Sequence, residues 1–137
     1  MKPILLLPFF LVLPLVTGIA QTEETITSID FVEVLNDNVD EAVYYYKNNW
    51  NLLRIQAQKD NAIHSYELQI SLPNEEGPTY ITLRTSYANK EQYDNRENYF
   101  GKLIEARTLK LLNDKKPGEF RKIVLGSDFK KVEYGPR

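Results

Sequence analysis

Two alternating runs meet at a turn near the middle of this chain, and that junction constrains the fold more than any other feature. From Ala62 to Leu72 the side chains sort by parity. Ala62, His64, Tyr66, Leu68, Ile70 and Leu72 share one face, and Ile63, Ser65, Glu67, Gln69 and Ser71 share the other. A period of two belongs to a β-strand. Pro73-Asn74-Glu75-Glu76-Gly77-Pro78 then removes a backbone donor at each end and supplies residues that turn readily. Thr79 to Tyr87, rich in Tyr, Ile and Thr, is a second strand, so the two runs predict an antiparallel hairpin with a longer loop.

Each side of the hairpin carries a helix and then a strand. Ser28 to Leu35 alternates, with Ile29, Phe31 and Leu35 on one face and Val32 and Val34 on the other. Asn38 and Glu41 have capping-box spacing, and Val39, Val43, Tyr46, Trp50, Leu53 and Ala57 follow at steps of three or four. Asp60-Asn61 ends this helix, because Asn tolerates the left-handed conformation that closes a C-terminus. Asn89 and Gln92 open a second helix with a weaker stripe of Tyr93, Phe100, Leu103, Ile104, Arg107 and Leu111. Gly101 inside it costs about 1 kcal/mol relative to Ala. Lys116-Pro117-Gly118 interrupts the pattern. Glu119 to Leu125 fits a helical turn and an early strand equally, and Phe129 to Tyr134 reads as a short last strand.

The order β-α-β-β-α-β predicts an α+β fold of ferredoxin-like form, a four-stranded antiparallel sheet with two helices on one face. The other face carries apolar and aromatic side chains. It calls for a homodimer through that face, a bound ligand, or both.

The N-terminus has its own logic. Lys2, the apolar stretch Ile4 to Val16, and the small residues Gly18 and Ala20 match a secretory signal peptide over residues 1–20, cleaved between Ala20 and Gln21. The stretch is short and broken by Pro8 and Pro14, unlike a transmembrane span of roughly 20 residues. Residues 21–27 then read as a flexible tail and 28–137 as a single domain. The expected product is exported, periplasmic or extracellular, with no stable membrane insertion once the signal is removed.

The chain has no cysteine, so an exported form must rest on packing without disulfides and has no thiol nucleophile. A formal net charge of −2 gives no reason to expect nucleic acid as a partner. Charge is uneven, however: acidic residues crowd the start from Glu23 to Glu41, and basic residues the end from Lys102 to Arg137. The two ends are expected to attract each other, within a protomer or across a dimer.

Few residues offer chemistry. His64 is the only histidine, a candidate general base or axial haem ligand against the plainer role of a partly buried, hydrogen-bonded side chain. One histidine rules out a multi-histidine zinc site within a protomer, and no metal is predicted. Tyr46 and Trp50 sit in the core stripe but can also line an aromatic pocket. Tyr80, Thr82, Arg84 and Ser86 share a strand face; Arg84 can bind an anionic oxygen or pair with Glu67 or Glu33 across strands. The candidate ligand-binding set is His64, Tyr66, Tyr80, Arg84, Glu67 and Glu33. No phosphate loop, G-x-S-x-G elbow, H-E-x-x-H or calcium loop is present.

Trp50-Asn51-Leu52-Leu53, the stretch Asp60 to Leu68, Tyr80-Ile81-Thr82-Leu83 and Tyr87 together resemble the dimeric α+β-barrel superfamily. That superfamily includes antibiotic-biosynthesis-type monooxygenases, EthD-like and NIPSNAP-like proteins. The chain is more closely similar to small exported Bacteroidetes-type proteins of this shape with no assigned activity. Asn61 stands where those relatives usually have Gly. The resemblance implies a homodimer with two sheets face to face around a barrel-like interior, which some members use for quinone-like substrates or haem. It carries over no catalytic residues. The expected function is binding of a small aromatic or amphipathic ligand in or beside the dimer barrel. A monooxygenase-like or haem-linked oxidoreductase and a non-catalytic assembly module are the alternatives. No cofactor is predicted from the residues themselves; haem enters through the resemblance alone.

Overall fold

Four strands build one antiparallel sheet in the order β2-β3-β1-β4. They are β1 (Ile26–Val34), β2 (Ser65–Ile70), β3 (Tyr80–Tyr87) and β4 (Arg121–Lys130). The structure is a computed structural model and describes residues 24–73 and 75–131. The expected signal peptide, its cleavage site at Ala20 and Gln21, and the start of the tail lie outside the described residues. Val132 and Tyr134 of the expected last strand lie outside them too. Among the described residues, no helix is long and apolar enough to cross a membrane.

The hairpin forms as the alternation requires. β2 and β3 pair from Ser65 opposite Ser86 to Ile70 opposite Ile81, which sets Glu67 opposite Arg84. β2 begins at Ser65, three residues later than the alternation suggests. Asn61 takes a left-handed φ of 54°, and the Ala62 amide donates to the Ala57 carbonyl at 2.8 Å, so the chain is still closing the helix there. β1 begins at Ile26, inside the segment expected to be a tail.

The first helix is continuous but not uniform. α1 (Val39–Tyr45) passes into a π-helical turn (Tyr46–Trp50) and on into α2 (Asn51–Lys59). The side chains of Asn48 and Asn49 explain the change. Each side-chain amide donates at 2.9 Å to the carbonyl four residues back, Tyr44 O and Tyr45 O. Those carbonyls are the ones that α-helical spacing would give to the same residues' backbone amides, so the ladder widens. The two expected caps differ. Asn89 Oδ1 accepts from the Gln92 amide at 2.9 Å and starts α3 (Lys90–Glu105). Asn38 makes no such bond; its side chain donates to the Glu119 carbonyl and accepts from Lys115 Nζ, while Glu41 turns to Lys115 and Asn113.

The ambiguous segment after Pro117 is both things in turn: α4 (Pro117–Phe120) is one helical turn and β4 starts at Arg121. The last strand therefore begins eight residues before Phe129. A register shift against Phe31 and Val32 leaves Val124 without a direct partner, and this bulge breaks the alternation that would have revealed the strand.

Val32, Val34, Ala42, Tyr46, Ile81, Leu83 and Phe120 form the main core between the sheet and the first helix. Ala57, Ile63 and Tyr87 form a second, smaller cluster beside α3. Burying each large apolar side chain contributes about 1.5–3 kcal/mol. The opposite sheet face stays open, with Phe31, Tyr80, Leu125 and Phe129 between 39 and 54 % exposed. The acidic start and basic end meet inside one protomer, through Glu24 and Lys130 at 2.8 Å and Glu41 and Lys115 at 2.7 Å.

Candidate functional site

α3 ends short of the core, and the chain from Ala106 to Lys116 returns as a strap towards the first helix. Between strap, helix and sheet lies a cavity of about 600 Å³. The sheet supplies Asp30, Leu83, Arg121 and Ile123 as its floor. Asp30 stands opposite Leu83 on one side and Gly126 on the other. A Cβ at residue 126 would lie 2.7 Å from Asp30 Oδ1, so glycine there makes room for the carboxylate.

The helix supplies the wall. The π turn brings Tyr46, Asn49 and Trp50 to the cavity, and Leu53 and Arg54 continue the lining. Arg54 is held by aromatic rings rather than by a carboxylate. Its guanidinium lies 4.6 Å from the centre of the Trp50 ring and 4.0 Å from that of Phe100, and Nε donates to Thr85 Oγ1 at 3.2 Å. Ile104, Arg107, Leu109 and Lys110 close the strap side.

Burial sets the electrostatics. It lowers the Arg54 pKa to about 10, opposed by the charges of Tyr87 and Asp30. It raises Asp30 above the usual carboxylate value, with Arg54 pulling the other way. It pushes the Tyr46 hydroxyl up to about 12, although Arg121 nearby favours the phenolate. Tyr46 is 2 % exposed. Its hydroxyl and the Arg121 Nε are both buried, and neither has a hydrogen-bond partner among the described residues. An apolar slot with aromatic walls is the form of a small-molecule site.

No family model and no curated protein matches this chain. A solved structure does: a dimeric ferredoxin-like protein from an uncultured marine organism, 14 % identical, with a TM-score of 0.53. The match covers 82 % of this chain and 100 % of that one. This chain has a ferredoxin-like fold. In ferredoxin-like terms, the cavity lies on the helical side of the sheet, away from the open face.

The residues expected from the sequence fall in three places. Glu33, Glu67, Tyr80 and Arg84 lie on the open face of the ferredoxin-like sheet. There Glu67 and Arg84 pair at 3.8 Å, both about half exposed, and Glu33 stands opposite Tyr80 and Lys122. Tyr80 also lines a wide groove of about 870 Å³ on that face, with Phe31, Thr82 and Leu125. Tyr66 lies on the helical side, its ring 6.0 Å from that of Trp50. His64 is exposed in the bend before β2 and lines neither cavity; its backbone amide donates to the Ser86 carbonyl. The only histidine lines neither space and so offers no axial ligand to a haem in either. Among the described residues no group of three His, Cys, Asp or Glu side chains converges on a metal position.

Asp30, Arg54 and Arg121 were not singled out from the sequence. A signal existed for two of them. Asp30 is the one charged residue on the parity of Ser28, Val32 and Val34, and Arg54 follows Leu53 on the edge of the helical stripe. Arg121 had none, because the start of β4 was ambiguous.

Proposed function

We propose that this is an exported, homodimeric protein that binds a small aromatic or amphipathic molecule in the cavity between first helix, sheet and strap. One observation carries the reading: a cavity of about 600 Å³ lies between first helix, sheet and strap, walled by Tyr45, Trp50, Leu53, Leu83 and Ile123. Such a space buries most of a small guest and gives its apolar surface aromatic and aliphatic side chains to lie against. Export rests on the signal-type pattern of residues 1–20. Dimerisation rests on the open face, where a second copy would cover Phe31, Tyr80, Leu125 and Phe129, and on the similar solved structure being described as dimeric. The charged ends that suggested an assembly module already pair within one protomer.

Trp50 is the only tryptophan and lines the cavity, so it reports occupancy directly. Titration of residues 21–137 with the neutral aromatic probe N-phenyl-1-naphthylamine is expected to give saturable energy transfer from Trp50. Ala106→Phe, which adds bulk to the cavity lining on the strap side without adding a second tryptophan, is expected to weaken it. No transfer at any probe concentration overturns the binding reading. Native mass spectrometry is expected to show a dimer that Leu125→Asp converts to a monomer; a wild-type monomer at high concentration overturns the dimer.

A further inference from the structure

We infer that Asp30 selects the guest of this cavity, and that the guest is a neutral alcohol with an apolar body whose hydroxyl donates to the Asp30 carboxylate. The inference rests on the binding reading above and gives its ligand a chemical class. Asp30 lies on the cavity floor, supplied by β1 two residues before the core side chain of Val32. Gly126 leaves space for it, since a Cβ there would stand 2.7 Å from Asp30 Oδ1. Asp30 is partly buried and keeps accessible surface. Among the described residues its side chain has no hydrogen-bond partner and no ion pair within 4.0 Å. The two arginines that act on it are held elsewhere. Arg54 stacks on Trp50 and Phe100 and donates to Thr85 Oγ1, and the Arg121 guanidinium lies 5.3 Å from the Tyr45 ring.

An accessible carboxylate without a protein partner is satisfied by water. An apolar guest that takes the place of that water must offer a donor in exchange, or it leaves a charged acceptor bare. Such a site rejects an analogue that lacks the hydroxyl far more strongly than apolar walls reject a change of shape. Burial already holds the Asp30 pKa above the usual carboxylate value, the mark of incomplete solvation. Charge sets the rest of the class. Arg54 and Arg121 offset Asp30, so an ammonium group meets two positive charges and a carboxylate meets Asp30 itself. A neutral donor meets neither penalty, and its apolar body has Trp50 and Ile123 to lie against.

The test is competition. 3-Phenylpropan-1-ol, its methyl ether and 3-phenylpropylamine are each used to displace N-phenyl-1-naphthylamine from residues 21–137 at neutral pH. The alcohol is expected to bind roughly tenfold tighter than the ether, the difference that one hydrogen bond to a charged acceptor supports. The amine is expected to bind more weakly than the alcohol. Asp30→Ala is expected to bring alcohol and ether level. Asp30→Asn, which keeps the side-chain shape, is expected to do nearly the same, because its amide N–H can donate to the ether oxygen. Continued probe binding shows that these variants are folded. Equal displacement by alcohol and ether, a tighter amine, or a preference for the alcohol that survives either substitution overturns the role of Asp30 and leaves the binding reading standing. Failure of the probe itself to bind wild-type protein overturns both.

Discussion

Asn49 and Lys110 exchange two hydrogen bonds: the Lys110 amide donates to Asn49 Oδ1 and Asn49 Nδ2 donates to the Lys110 carbonyl, each at 2.8 Å. One side chain from the π turn thus completes the backbone of the strap and fixes the strap side of the cavity. Asn49→Ala is expected to lower stability by about 2–4 kcal/mol, the net value of these two bonds and of the third that the same side chain donates to Tyr45 O. It should also speed tryptic cleavage after Arg107 or Lys110. Denaturant unfolding and limited proteolysis check both; unchanged cleavage means that something else holds the strap.

Tyr46→Phe has an unusual expected sign. The hydroxyl is buried and unpartnered, so its removal is expected to raise the melting temperature of the unliganded protein by the equivalent of about 1 kcal/mol. Scanning calorimetry decides: a fall in melting temperature means that the hydroxyl is satisfied in solution.

Glu41 governs one limb of the acid unfolding. Hydrogen bonds from Lys115 and then Asn113 lower its pKa to about 2. A carboxylate with a depressed folded pKa contributes stability above its unfolded pKa, near 4.3, and loses that contribution as pH falls through the folded value. Stability should therefore decline from about pH 5 towards pH 2. Glu41→Gln should be less stable at neutral pH and show a shallower decline. Asp128, lowered by hydrogen bonds from Ser28 and Tyr93, acts in the same sense, so the limb flattens rather than disappears. Melting temperature against pH for the two proteins is the measurement; parallel curves would dismiss the role of Glu41.

Gly126 and Asp30 are coupled through space. A methyl group at residue 126 meets Asp30 Oδ1 at 2.7 Å, and the carboxylate must turn to admit it. Gly126→Ala is expected to cost about 1 kcal/mol, at the low end for overpacking, because the obstacle is a side-chain end. In an Asp30→Ala background the same substitution should be harmless. A double-mutant cycle measures this coupling, and additive effects would show that the two residues are independent.

Much of the frame was legible from residues alone. The alternation of Tyr66, Leu68 and Ile70 against Glu67 and Gln69, with its proline-flanked turn, placed the hairpin; between Glu67 and Glu33, both open to Arg84 from the sequence, the structure pairs it with Glu67. Asn89 and Gln92 marked the start of α3, and Asn61 took the left-handed turn expected of it. Asn38 and Glu41 had the same capping spacing and do something else, because Lys115, Asn113 and Glu119 arrive from the far end of the chain and claim their side chains. Local patterns hold where no distant partner competes for the same polar atoms.

The periodicity of apolar side chains determined the element order and, with it, the layered sheet-and-helix plan, since burial of a face depends only on repeat length. Tertiary structure alone decided where a site could form. Asp30, Tyr46, Arg54 and Arg121 come from β1, the π turn, α2 and β4, and they meet only after the sheet closes and the strap returns. Separation along the chain hides such a grouping, because burial and charge act through space rather than through sequence.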